Sequence, residues 1–234
     1  MREFDMDNVT IDGLDETYAT NRDVEEVEAS TVLVVDFMID GSSSMWDYKT
    51  AMRDCLEHYR DAICNSKQAE EMLVSKTIFA STIQTGGYVA PEDFDTSYDA
   101  DGTTHLYDAI IDRRQRLLKY MEQLDDNGNT PMGCMVILSD GDDVGSTCSI
   151  SEARQAIEDL RKREITVAFI AFGQKAFGIA DSLGIKSKNV KEVSNDESEL
   201  RRVIDLTSKS VVSASKKAST GAGSSDDDGG FFDV

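Results

Sequence analysis

The chain has 234 residues, 45 of them acidic against 24 basic, for a net charge of -21. That length suits one α/β domain with tails, and so negative a chain repels nucleic acid and anionic membrane while attracting cations and basic partners. It has no run of 18 apolar residues, and its first residues, MREFDMDNVTIDG, lack an apolar core; no transmembrane helix or secretory signal is expected, which points to the cytoplasm.

Residues 1–29 carry ten acidic residues against Arg2 and Arg22. They read as an acidic N-terminal arm, either solvated and partly disordered or adding an edge strand or docking a basic partner. From Thr31 to Ile39 the apolar run TVLVVDFMI is continuous, as in a parallel strand covered on both faces. Asp36 interrupts it, and a carboxylate there needs a hydrogen-bonding partner or an edge position, because burying it unpaired is costly.

Immediately after this strand, Asp40-Gly41-Ser42-Ser43-Ser44-Met45 gathers one carboxylate and three hydroxyls where open α/β sheets place their binding sites. Residues 46–65 follow as an amphipathic helix with Met52, Cys55, Leu56, Tyr59 and Ile63 inward. Met72–Phe79 and Ser81–Val89 read as two strands joined by a short turn, one of them an antiparallel edge strand. The acidic stretch PEDFDTSYDADGTTHLYDA then ends in Gly102-Thr103-Thr104-His105-Leu106 at the start of a second helix. A short apolar strand, Met135–Leu138, leads into Ser139-Asp140-Gly141-Asp142-Asp143.

Ser149 and Glu152 form a capping-box pattern for a helix through Arg163, and Ile165–Phe172 is a further apolar strand. A short helix over 175–183, a weak strand Val190–Val193 and a helix from the capping pair Ser194 and Glu197 through about Ser213 complete the order. Strands alternating with helices predict an α/β fold: a doubly wound, mainly parallel central sheet with helices on both faces and one antiparallel edge strand. The expected organisation is the arm at 1–29, a domain at 30–213 and a flexible acidic and aromatic tail at 214–234.

Three motifs carry a resemblance. Asp40-x-Ser42-x-Ser44, Gly102-Thr103-Thr104-x-Leu106 and Ser139-Asp140-Gly141 are similar, in order and in strand context, to the three loops of the metal-ion-dependent adhesion site (MIDAS) of von Willebrand factor type A domains. The resemblance covers roughly residues 31–212 and implies a Rossmann-like fold. It assigns metal-binding roles to Asp40, Ser42, Ser44, Thr104 and Asp140, with Thr104 favoured over Thr103. Such hydroxyl and carboxylate oxygens suit Mg²⁺, with Mn²⁺ or Ca²⁺ as substitutes. With few carboxylates on the ion, a Glu or Asp from a protein partner completes the shell, within a multiprotein assembly such as those of ATPase-associated or stress-resistance type A proteins.

Other readings weigh less. One alternative has the hydroxyls only capping the next helix, and a scaffold using the metal for stability alone is the main functional alternative. Asp40-Gly41-Ser42 also resembles part of the haloacid-dehalogenase phosphohydrolase motif, but the nucleophilic aspartate would fall at position 38, which is Met38. Without a P-loop, a Gly-x-Ser-x-Gly elbow or a histidine partnered to a nucleophile, the chain is expected to be non-enzymatic. A calcium loop in the acidic stretch fails because Ser97 takes its first ligand position and Asp108 its last. Asp142 and Asp143 read as charge near the ion or as exposed loop acids, and His105 as a rim contact or a surface residue.

Four cysteines, Cys55, Cys64, Cys134 and Cys148, make no C-x-x-C pair, and only His58 and His105 offer imidazole. Zinc is disfavoured, and buried thiols are preferred to a disulfide. In the tail, Phe231 and Phe232 next to acids suggest a short motif that docks in an apolar pocket with a basic rim.

Overall fold

In the computed structural model, which describes residues 17–18, 20–193, 197–219 and 230–234, seven strands form one sheet. These are β1 (Thr17–Tyr18), β2 (Thr31–Asp40), β3 (Met72–Phe79), β4 (Ile83–Thr85), β5 (Thr130–Ser139), β6 (Thr166–Phe172) and β7 (Val190–Val193), in the order β1-β4-β3-β2-β5-β6-β7. The helices are α1 (Lys49–Cys64), α2 (Leu106–Asp126), α3 (Ile150–Lys162), α4 (Gln174–Ser182) and α5 (Glu197–Ser219). β4 runs antiparallel to β3 and the other strand pairs are parallel. The two residues of β1 pair outside β4, so part of the acidic arm does add an edge strand.

Side chains alternate across a strand, and along β2 this sorts the core into two layers. Val32, Val34 and Met38 face a cluster with α2, α3 and α4, while Leu33, Val35, Phe37 and Ile39 face one with α1 and α5. Phe37 stacks on Tyr59 of α1 with ring centroids 4.7 Å apart, a contact worth about 1 kcal/mol beyond burial. Met38 is fully buried in the first layer, in keeping with a packing role.

Asp36 finds its partner on α2. Arg113 Nη2 lies 2.6 Å from Asp36 Oδ1, both residues are buried, and the Tyr88 hydroxyl donates to Asp36 Oδ2 at 2.8 Å. Arg113 also donates to Tyr88 Oη at 2.8 Å and Ser75 Oγ at 3.2 Å. Burial raises the Asp36 pKa against the pull of Arg113.

Four differences from the sequence expectation have local causes. β5 starts at Thr130 rather than near Met135, because its first residues, including Pro131, pair with β2 alone before β6 joins at Cys134, leaving one side that needs no proline N–H. The first turns after β2 are a 3-10 helix, Ser43–Tyr48, and the α-helix begins only at Lys49. The last helix continues to Ser219, past the expected end near Ser213. Part of the arm is fastened to the domain: Arg22 N donates to the Tyr88 carbonyl at 2.8 Å, and Asn129 Nδ2 donates to the Ala29 carbonyl at 2.8 Å. The capping box of α3 forms as expected, with Ser149 and Glu152 bonding reciprocally. Ser194 of the second capping pair lies outside the described residues. All four cysteines are free thiols. Among the described residues no helix is long and apolar enough to cross a membrane.

Candidate metal centre

Asp40 is the last residue of β2, at the strand-end edge of the sheet. It is buried, and its oxygens are used in both directions: Ser42 N donates to Oδ1 at 2.9 Å and Ser139 Oγ donates to Oδ2 at 2.7 Å. Tyr98 Oη donates to its carbonyl at 2.6 Å. The turn after it requires glycine, since a Cβ on Gly41 would stand 2.5 Å from Ile78 Cγ2 and 3.3 Å from the Asp99 carbonyl. Ser42 occupies the cap position of the 3-10 turn, yet its side chain makes no capping bond. Its hydroxyl lies 3.0 Å from that of Ser44 instead. Helix capping therefore does not account for Ser42.

The second loop is stitched to the first. Asp101 N donates to the Gly41 carbonyl at 2.7 Å, Ser43 N to the Gly102 carbonyl at 3.1 Å, and Gly102 N to Ser43 Oγ at 2.9 Å. Ser43 thus spends its hydroxyl on the neighbouring loop, and the Ser42 and Ser44 hydroxyls pair with each other. The two threonines separate in the same way. Thr103 is exposed and bonded to Ser81, whereas Thr104 is buried at 2% exposure.

The third loop closes the rim. Val144 N and Gly145 N donate to the Thr104 carbonyl at 3.1 and 2.9 Å, joining the loop after β5 to the loop before α2. Asp140 follows β5 directly and accepts from Asp142 N at 3.0 Å. Gly141 has φ +82°, and a Cβ there would meet Ala176 Cα of α4 at 2.6 Å. Asp143 caps α2, accepting from Leu106 N at 2.8 Å and Tyr107 N at 3.3 Å, and Asp108 of α2 accepts in turn from Thr147 N and Cys148 N at 2.9 Å. A carboxylate at a helix N-terminus is favoured by the helix dipole as well as by these bonds. Asp142 is paired with Lys175. His105 bonds the Ala80 carbonyl through Nδ1, so it is tied into the loop scaffold.

Asp40 at the end of β2, Ser42 and Ser44 in the turns after it, and Thr104 and Asp140 on the two bonded loops thus stand at one end of the sheet. Asp40, Ser42 and Ser44 are linked through their own loop, and Asp140 is near enough for its charge to act on Asp40. Burial, with the Asp140 charge adding to it, pushes the Asp40 pKa up to about 6 against hydrogen bonds from Ser42 and Ser139 that lower it. A buried carboxylate beside a second one is short of positive charge, and among the described residues neither forms an ion pair with a basic side chain. A divalent cation would meet that deficit with hard oxygen donors, so the residues fit such an ion. Among the described residues no three His, Cys, Asp or Glu side chains gather as a metal cluster, leaving hydroxyl oxygens to complete any donor set here.

Sequence reasoning gave no role to Tyr98, placed Ser139 in the third motif without its bond to Asp40, and read Asp143 as charge near the ion or an exposed loop acid rather than as the cap of α2. Ser139 was visible as the hydroxyl residue before Asp140; nothing local marks Tyr98, whose partner is 58 residues away.

Among solved structures, the pilus adhesin SpaC of Lactobacillus rhamnosus GG superposes with a TM-score of 0.63 at 12% identity, over 80% of this chain and 30% of that one. The SpRpn10 VWA domain superposes with a TM-score of 0.52 at 12% identity, over 75% of this chain and 95% of that one. The fold is that of a von Willebrand factor type A domain. Another type A neighbour is proximal thread matrix protein 1 of the mussel byssus, whose MIDAS motif is occupied by zinc, at a TM-score of 0.59 and 15% identity over 81% of this chain and 47% of that one. The chain therefore spans less than half the length of the adhesin and the byssus protein. No protein-family model matches the chain, and no curated protein matches it in sequence. The type A fold places the loops after β2, before α2 and after β5 on one edge.

Proposed function

We propose that this type A domain is a non-catalytic interaction module that holds a divalent cation, Mg²⁺ by preference, at Asp40, Ser42, Ser44, Thr104 and Asp140. A Glu or Asp of a protein partner completes the shell. The observation that carries this reading is the hydroxyl pair: Ser42 and Ser44 face each other at 3.0 Å beside a buried Asp40 instead of capping the helix that follows. When bound, the ion offers a Lewis-acidic position to an incoming carboxylate. The chain's own residues do the rest. Asp40 supplies charge, held in orientation by Ser139 and the Ser42 amide, and the hydroxyls contribute neutral oxygens, so the ion keeps net positive character towards the partner.

The surroundings suit a protein surface. Three of the four large apolar residues exposed among the described residues, Trp46, Val144 and Phe177, belong to the segments around this edge. Apolar groups around a charged centre are typical of a docking patch. The partner's setting is proposed as a multiprotein assembly, of the ATPase-associated or stress-resistance kind. The test is co-purification with the wild-type chain and with Asp40→Ala, each with and without chelator. The account predicts a partner lost on chelation and absent from the folded variant. A partner retained in both would favour a scaffold whose contacts lie elsewhere.

A further inference from the structure

The end of the sheet opposite the metal loops carries a second surface. The starts of β5 and β6, the end of α5 and the turn before β7 enclose a cleft of about 540 Å³. Its walls include Arg161, Lys162, Lys188 and Lys217, an unusual concentration of cations on a chain of net charge -21. Gly230, Phe231, Asp233 and Val234 form part of its wall. Phe232 is 8% exposed and joins the apolar layer of α1 and α5, with the Phe231 ring edge-on to it at 4.9 Å. Phe231 N donates to Asn189 Oδ1 at 2.8 Å, and the Asn189 side chain donates through Nδ2 to the Val167 carbonyl at 3.2 Å, so Asn189 ties the segment to the start of β6. Gly230 lies so close to the Lys188 carbonyl that a Cβ would collide with it.

We infer that the wall of this cleft is a docking surface for an acidic diaromatic peptide, covered here by the chain's own Phe231–Val234 and open by exchange to the same segment of a second copy. Charge and shape argue for that occupant. In sequence the two phenylalanines are bracketed by Asp226-Asp227-Asp228 and Asp233, matching cations on the groove walls, and Gly230 permits the close approach to Lys188. Exchange is compatible with the contacts of the described residues: the Phe232 ring is buried, the Phe231 amide is bonded to Asn189, and Asp233 and Val234 are exposed. The covalent connection compensates, because a short tether holds its ligand at an effective concentration of the order of millimolar. This surface is independent of the metal site.

The test uses a fluorescent peptide of residues 225–234 and the full-length chain. Phe231→Ala/Phe232→Ala empties the groove in cis; after its folding is checked by circular dichroism, it is expected to bind the peptide at least tenfold more tightly than wild type. A peptide with both phenylalanines replaced by alanine is expected not to bind, and adding Lys162→Glu and Lys188→Glu to the emptied chain is expected to weaken binding several-fold. In the wild-type chain carrying fluorinated phenylalanine, excess unlabelled peptide should move the Phe232 resonance towards its solvent-exposed position. Equal binding by the wild-type and emptied chains, binding that survives loss of the peptide's phenylalanines, or an unmoved Phe232 resonance would overturn the inference.

Discussion

At the scale of single residues, the site rests on which hydroxyls are spent and which are kept. Ser43 and Thr103 bond neighbouring loops, while Ser42 and Ser44 turn towards each other and Thr104 is buried. Ser42, Ser44 and Thr104 are also the positions that the sequence motif singles out, and they are proposed here as ligands. The choice of Thr104 over Thr103 rests on the motif alignment, and the bond between Thr103 and Ser81, 22 residues away, supports it as a proposal. Thr104→Ala is predicted to weaken Mg²⁺ binding at least tenfold by isothermal titration, and Thr103→Ala to change it little. Equal effects would place the ligand elsewhere. Replacing Ser42 and Ser44 together by alanine should likewise weaken binding while leaving the circular dichroism spectrum intact.

At the scale of elements, reciprocal capping between α2 and the loop after β5 sets the rim's geometry. Asp143 caps α2 while Asp108 holds Thr147 and Cys148, so each segment fixes the other. Loss of a capping side chain costs about 0.5–2 kcal/mol, and Asp143→Ala is predicted to fall in that range by urea denaturation. Because the same loop bonds the Thr104 carbonyl, the variant should also bind Mg²⁺ more weakly. These contacts were illegible beforehand, since Asp143 bonds α2 across 37 residues and an acid in a loop looks like any other. Strand and helix order was legible because the runs over 31–39 and 165–172 are long and apolar. The start of β5 was not, because Pro131 argues against a strand until its one-sided pairing is known. Asp36 announced that a partner existed without naming Arg113, 77 positions on. Breaking a buried ion pair on one side costs about 3–5 kcal/mol. Arg113→Met is predicted to lose that much in urea, with Asp36→Asn/Arg113→Met losing less than the single variant.

At the scale of the whole molecule, the type A fold separates two surfaces at opposite ends of one sheet: an acidic rim where we propose a cation, and a basic cleft walled in part by the chain's own Phe231. The balance of charge makes sense of both, since a chain this acidic attracts cations and keeps its few concentrated positive patches for acidic segments. Cation binding to the folded state alone should stabilise the domain, by about 2.7 kcal/mol at a hundred times the dissociation constant. A rise in the thermal midpoint with Mg²⁺, reversed by chelator, is the expected signature, and it should be absent in Asp40→Asn. The central claim is tested most directly by titrating Mg²⁺ calorimetrically into the chelator-treated wild-type chain and into Asp40→Asn. One site per chain, present in the wild type and lost in a variant that keeps its fold, is the predicted result. No binding to the wild type, or equal binding to both, would contradict it.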